Sequence, residues 1–285
     1  MKRAIWTILI IICISLLPPG ENRLIRQDVS LLMEAWVPFP EERKPRPIVF
    51  ANALPVVEKK SKGGHITRVH LGTRLTTYAP AATYVTLPDG PASVPQISAT
   101  EAFNGLVRQL NRNNAPTRED TVIDAEHTFH GFQSDRGPVL LPAWRFRLAG
   151  GGSLIWPALS SGAFWRLGEL SQSSAVKKAT ASQTRPEITI WMDPGETCDG
   201  KSLARPKVVI AESPDVVVII TVDNPQRREA SELCLMPAYY LAKPFTYRLS
   251  SPLGNRGLLD ELGNVAIVHY GDVAAIPTVP QPTRS

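Results

Sequence analysis

The groups in this 285-residue chain with the types and spacing to do chemistry are five histidines, three cysteines and one phosphate-cradle motif. In PGETCDGKS, Gly195, Gly200, Lys201 and Ser202 satisfy G-x-x-x-x-G-K-[ST], the pattern in which a Gly-rich turn and a Lys hold nucleotide phosphates. The motif works only where a strand feeds the turn and a helix starts at the Lys-Ser, so that N-terminal N–H groups point at the anion. A strand-like EITIWMD precedes it, but Pro206 follows soon after Ser202 and KVVIAES then reads as another strand. Cys198 sits inside the loop, and Asp193 and Asp223 read as turn residues instead of a metal-holding strand end. The stretch Gly195 to Ser202 is therefore expected to bind no nucleotide.

The histidines are similarly dispersed. His127 and His130 in HTFH are three apart, which on a strand sends them to opposite faces and works against shared metal ligation. His65, His70 and His269 are isolated, no H-E-x-x-H or G-x-S-x-G occurs, and the SSG at Ser160 to Gly162 is a turn. No catalytic, metal-binding or cofactor-binding residue is expected, and no cofactor. Two stretches stand out for interaction or structure, SDRGPVLLPAWRF and SSPLGNRGLLD. The first sets Pro142 and Trp144 in an edge or bulged strand whose Trp covers the sheet, with Arg136 in the turn before it. In the second, an Arg256–Asp260 pair would hold the turn; a binding role for Arg136 or Arg256 is the alternative.

What positions these groups begins with the N-terminus. MKRAIWTILIIICISLLPPG opens with Lys2 and Arg3 and then runs uncharged from Ala4 to Gly20, an export signal. It lacks an A-x-A-like cleavage site, so residues 1–20 are read as an uncleaved anchor crossing the membrane through residues 4–20. The basic flank puts residues 21–285 outside; cleavage would make the protein secreted. Cys13 follows Ile12, where a lipid-attachment signal needs a small residue, and is read as an ordinary membrane residue. Cys198 and Cys234 remain, and an even pair in an oxidising compartment is most simply a disulfide, worth about 4 kcal/mol in the chain-entropy model.

The net charge of +5 does not indicate nucleic acid. Residues 1–64 hold ten Lys/Arg against six Asp/Glu, leaving 21 against 20 in the rest. The pairs Lys177/Lys178 and Arg227/Arg228 read as solvated loop charges, with no basic face to track a phosphate backbone. The 26 prolines, spread along the chain, favour short strands joined by turns over long helices.

The expected fold is α+β. Residues 21–64, charged and Pro-rich, read as a tether, within which LIRQDVSLLMEAW has helix-like apolar spacing and forms a juxtamembrane helix or docks on the body. Residues 65–170 read as a helix on an antiparallel sheet. SATEAFNGLVRQLNRNN is the clearest helix, with Ser98 and Glu101 as a capping box and Ala102, Leu106 and Leu110 as its apolar stripe. Three strands follow, with turns at SDRGP and GGG. Residues 171–184 lack large apolar residues and read as a linker. Residues 185–273 read as a small sandwich-like, mostly-β domain closed by the disulfide, and 274–285 as a frayed tail.

RGPVLLPAW, the cysteine pair and PLGNRGLLD together resemble a group of exported actinobacterial proteins of unknown function, over roughly residues 95–265. In that group a Trp-bearing strand region precedes a Cys-paired β domain ending in P-L-G-x-R-x-x-x-D. The helix opening ISATEAF, followed by strands and LLPAWRF, is more weakly similar to PepSY-like export-associated domains, which pair a helix with a small antiparallel sheet. Neither resemblance implies a catalytic residue. The resulting expectation is a non-catalytic binding module anchored at the cell envelope, its partner a protein, a peptide or a wall polymer. The alternatives are a structural envelope component and an extracytoplasmic hydrolase whose site is gathered from distant loops, which would require His127 or His130 to meet a carboxylate or Ser202.

Overall fold

A computed structural model describes residues 21–52, 54–58, 68–87, 89–112, 119–192, 208–221 and 242–271, with 21–28 as backbone alone. These residues are mixed α+β, mostly strand, with two α-helices and several sheets. The anchor segment, Cys13, the P-loop-like turn, both Cys198 and Cys234, and the C-terminal tail lie outside the described residues. Among the described residues, no helix is long and apolar enough to cross a membrane. Two compact units divide the chain: a central one, Pro38–Gln172, and a terminal one combining Met1–Val37 with Ser173–Ser285.

The terminal unit opens with helix α1 (Glu21–Trp36). In the central unit, β1 (Val56–Glu58), β2 (Arg68–Leu71), β5 (Glu119–Ser134), β6 (Gly137–Leu148) and β7 (Ser153–Pro157) form one sheet in the order β1-β7-β6-β5-β2. A hairpin of β3 (Thr83–Leu87) and β4 (Gly90–Val94) and the helix α2 (Ala99–Asn111) connect β2 to β5. The capping box is formed: Ser98 Oγ accepts from the Glu101 N–H at 3.2 Å, and the Glu101 carboxylate accepts from the Ser98 N–H at 2.9 Å. Ala102, Leu106 and Leu110 are buried, and Phe103 meets Phe146 of β6 edge-on. The turns also fall where expected. Gly137 (φ 97°) closes the Asp135–Arg136 turn between β5 and β6, and Gly151 and Gly152 (φ 87° and 84°) make the turn into β7.

The sheet is not purely antiparallel, because β2 pairs β5 in parallel, Arg68 beside Glu119 through Leu71 beside Val122. Parallel neighbours need a crossover of a dozen or more residues, and the β3–β4 hairpin with α2 supplies it. The expected tether is corrected too. Ile48, Val49, Phe50 and Leu54 are buried, and Phe50 stacks on Phe132 at 5.0 Å. Counting prolines and charges hides the short apolar run Ile48–Phe50 between them.

In the terminal unit, β10 (Val208–Glu212), β11 (Val216–Thr221) and β13 (Gly257–Asp260) form one sheet, ordered β10-β11-β13. A second, ordered β12-β9-β8-β14, contains β8 (Lys178–Ala181), β9 (Glu187–Met192), β12 (Lys243–Arg248) and β14 (Val268–Tyr270). Ile188, Ile190 and Met192 of the second share one buried cluster with Val217, Ile219 and Leu258 of the first. Both sheets contain a parallel pair, β11 with β13 and β8 with β14. The expected linker thus contains β8: its Ala179 and Ala181 are core residues that fit beside Ile190 and Ile188, so the absence of large apolar residues does not mark a connector.

Strand β11 is buried on both faces. Val217 and Ile219 point into the shared core, so Val216, Val218 and Ile220 point the other way, onto the side where α1 packs. Val29, Met33 and Trp36 recur at helix spacing on α1 and are buried, Trp36 to 1% exposure. Gly257 admits that indole closely: a Cβ there would lie 2.8 Å from the Trp36 ring.

Candidate functional site

Of the residues singled out for interaction or structure, Trp144, Arg136, Arg256 and Asp260 are described, and the fold uses each as structure. Trp144 is buried, donating its indole N–H to the Ile97 carbonyl at 2.9 Å, with the His127 ring edge-on at 5.1 Å. Arg136 is buried in the β5–β6 turn, its N–H on Ser134 Oγ at 3.1 Å and its guanidinium 3.8 Å from Asp135. Arg256 does not pair with Asp260. It reaches Glu212 of β10 at 2.9 Å and donates to the carbonyls of Ser251, Pro252, Leu253 and Ser213. Asp260 instead accepts the N–H groups of Leu262 and Asn264 at 3.0 and 2.8 Å, closing its own turn. A guanidinium fork satisfies several loop carbonyls at once, and a short carboxylate bonds backbone two and four residues on; the sequence separation alone does not reveal which each will choose. Cys198 and Cys234 fall outside the described residues.

The two central histidines take different surroundings. His127 Nε2 is 2.6 Å from Gln96 Oε1, whose amide donates to the Ala81 carbonyl, and burial lowers its pKa. His130 Nδ1 lies 3.7 Å from Glu58 Oε1. Burial lowers the His130 pKa, with Glu58 acting upward and Arg145 downward. Glu58 is engaged by Arg145 at 3.0 Å, Arg145 also reaches Glu126 at 3.2 Å, and Arg147 pairs with Asp124. The result is a cross-strand ion ladder along one face of β5 and β6. A shallow open groove of about 390 Å³ lies elsewhere in this unit, lined by Lys44, Asp89 and Gly90 to Ser93. Among the described residues, no group of three or more His, Cys, Asp or Glu is placed to hold a metal ion.

A repeated chemistry lines the outer face of the β12-β9-β8-β14 sheet. Alternation in EITIWM turns Ile188, Ile190 and Met192 inward and leaves Glu187, Thr189 and Trp191 outside. Register then aligns Thr246, Thr189, Thr180 and His269 in one row across four strands. The Thr246 and Thr189 hydroxyls are 2.9 Å apart. The next row holds Pro244, Trp191 and Lys178, the ammonium lying 5.0 Å from the indole centroid. Partial burial first, and then Lys178, lower the His269 pKa. Neighbouring strands are about 4.8 Å apart, so the Thr-to-His row spans about 14 Å. Such a face presents hydroxyl donors and acceptors, an aromatic ring and a cation along adjacent rows. In sequence KATA, free of large apolar residues, reads as part of a linker, which hides the row; the alternation in EITIWM is the available signal.

No family model, curated protein or solved structure matches the chain.

Proposed function

We propose that this protein is a membrane-anchored, extracytoplasmic, non-catalytic binding module of the cell envelope, and that its outer Thr–Trp face engages a wall polymer. In this reading residues 4–20 are the anchor and residues 21–285 lie outside, a placement supported by the Lys2–Arg3 flank and the uncharged run. The helix-backed sheet and the two-sheet unit act as separate domains, the second closed by Cys198–Cys234. The resemblance to exported actinobacterial proteins supports the same location.

The row Thr246–Thr189–Thr180–His269 beside Trp191 carries the reading. Sugar rings offer dense hydroxyls to such a row and C–H faces to an indole, while Lys178 suits an anionic substituent. A row extending across four strands suits the repeated units of a polymer better than a small molecule, which is normally enclosed in a concave site. Full-length protein in detergent micelles should co-sediment with purified insoluble wall glycan, and Trp191→Ala with Thr189→Val should lose most of that binding. Equal sedimentation of the folded variant would refute the polymer reading.

A second reading, an extracytoplasmic hydrolase, has one observation in its favour, the approach of His130 to Glu58. That carboxylate is already committed to Arg145, which favours an ion ladder over a catalytic dyad. A hydrolytic activity abolished by His130→Ala would reverse this preference.

A further inference from the structure

We propose that the outer edge of β5, between Ile123 and Phe132, receives an extended peptide segment as an added strand. The observation is independent of the Thr–Trp face and lies in the other unit.

Among the described residues, the lane beside β5 is filled at both ends and open between them. At one end β2 pairs only with Glu119 to Val122, and the Gly72 N–H donates to the Val122 carbonyl at 2.9 Å. At the other, the Ala51 N–H donates to the Gln133 carbonyl at 3.0 Å, and Asp135 donates to Val49 at 2.9 Å. From Ile123 to Phe132 no strand lies on this side of β5 among the described residues.

Backbone accounting shows what the lane offers. Gln133 turns its carbonyl outward, so by the two-residue period Gly131, Phe129, His127 and Ala125 also aim their N–H and C=O groups into the lane. Two of these groups are locally engaged: the Ala125 N–H by Asp124 Oδ1 at 2.9 Å and the Phe129 carbonyl by the Thr128 hydroxyl at 3.4 Å. The N–H groups of His127, Phe129 and Gly131, and the carbonyls of Ala125, His127 and Gly131, have no protein partner among the described residues. Nothing lies within 4 Å of a Cβ built at Gly131, and Phe129 is 49% exposed. This ladder of donors and acceptors is the template that strand addition uses.

The shape of the lane selects a peptide over a second copy of the chain. Ten residues span about 33 Å. A copy's β5 is 16 residues long and would run into Leu71 or Ala51 at the ends. A free segment of about six to eight residues fits between them. Its side chains would alternate, one set beside the Phe129 and His127 rings and the other beside Glu126, whose side chain is 58% exposed. The matching sequence alternates apolar residues with basic or hydroxyl-bearing ones.

The test is hydrogen exchange on the full-length protein in detergent micelles, with an octapeptide selected on it from a random Cys-free display library. Without peptide, the amides of His127, Phe129 and Gly131 should exchange rapidly while those of Thr128 and His130, bonded to β6, stay protected. Peptide should slow the three outward amides by about tenfold or more. Phe129→Lys, at an exposed position and checked for an unchanged melting temperature, should weaken binding about tenfold. The proposal is overturned if the outward amides are already protected without peptide, if no peptide is enriched, or if enriched peptides protect another region. Protection that rises with protein concentration alone would overturn it in favour of self-pairing.

Discussion

Arg46 grips Asp135 with both arms of its guanidinium, Nη1 to Oδ1 at 3.1 Å and Nη2 to Oδ2 at 2.7 Å, although 89 residues separate the two. Asp135 is 1% exposed, and the Arg46 guanidinium also lies over the Phe39 ring at 4.8 Å. The pair ties the segment leading to Ile48 onto the tip of the β5–β6 hairpin. Removing one member strands a buried charge, so Asp135→Ala should lower unfolding stability by about 3–5 kcal/mol. Urea titration measures this directly, and a loss under about 1 kcal/mol would show that the pair is solvated.

Arg256 and Asp260 hold different turns and share no described partner. A double-mutant cycle between them should give a coupling near zero, whereas Arg256 with Glu212 should couple by about 1–3 kcal/mol. Arg256→Lys should not rescue, since an ammonium cannot reproduce the fork that serves Glu212 and the carbonyls of Ser251 and Pro252 together. Strong coupling to Asp260 would restore the pairing expected from sequence.

Docking of α1 depends on the bare backbone at Gly257. Gly257→Ala places a methyl group 2.8 Å from the Trp36 ring and should destabilise by about 1–3 kcal/mol through overpacking. Trp36→Phe removes the ring carbon that would clash, so the double variant should be more stable than the sum of the single effects predicts. Strict additivity would place the strain elsewhere.

Acid should weaken the fold as its part-buried histidines are forced to take up protons. Burial lowers the pKa of His127, His130 and His269 below 6.5 in the folded chain. The unfolded chain therefore takes up protons that the folded chain refuses, and stability falls as pH drops below about 6.5, levelling out below the folded values. Denaturant midpoints at pH 7.5 and 5.5 should differ. His127→Gln, which retains a hydrogen-bonding group beside Gln96, should reduce the difference. Burial raises the pKa of Glu261 and Asp215, which acts in the opposite direction, so the deciding result is the variant: a pH difference unchanged by His127→Gln would contradict the burial of that ring.

Local elements were the most legible part of the fold. The α2 capping box needs only Ser98 and Glu101 three residues apart, and the Gly137 and Gly151–Gly152 turns follow from backbone freedom at those glycines. The alternation in EITIWM needed only neighbours in the chain. The candidate site was less legible. Trp144 and Arg136 were visible as distinctive residues, but not their burial, because burial depends on which segment arrives from elsewhere.

Residue order alone thus settles where α2 and the central hairpin begin and turn, since caps, turns and side-chain alternation act over a few residues. Tertiary structure decides the remainder. It gives α1 to a sheet whose strands begin beyond residue 200, brings Glu212 to Arg256, lines up Thr180, Thr189 and Thr246, and leaves the edge of β5 between β2 and Ala51 without a neighbouring strand among the described residues. Each of these pairings joins distant segments, and the choice of partner rests on summed burial and backbone satisfaction over the whole unit, which no short window of sequence contains.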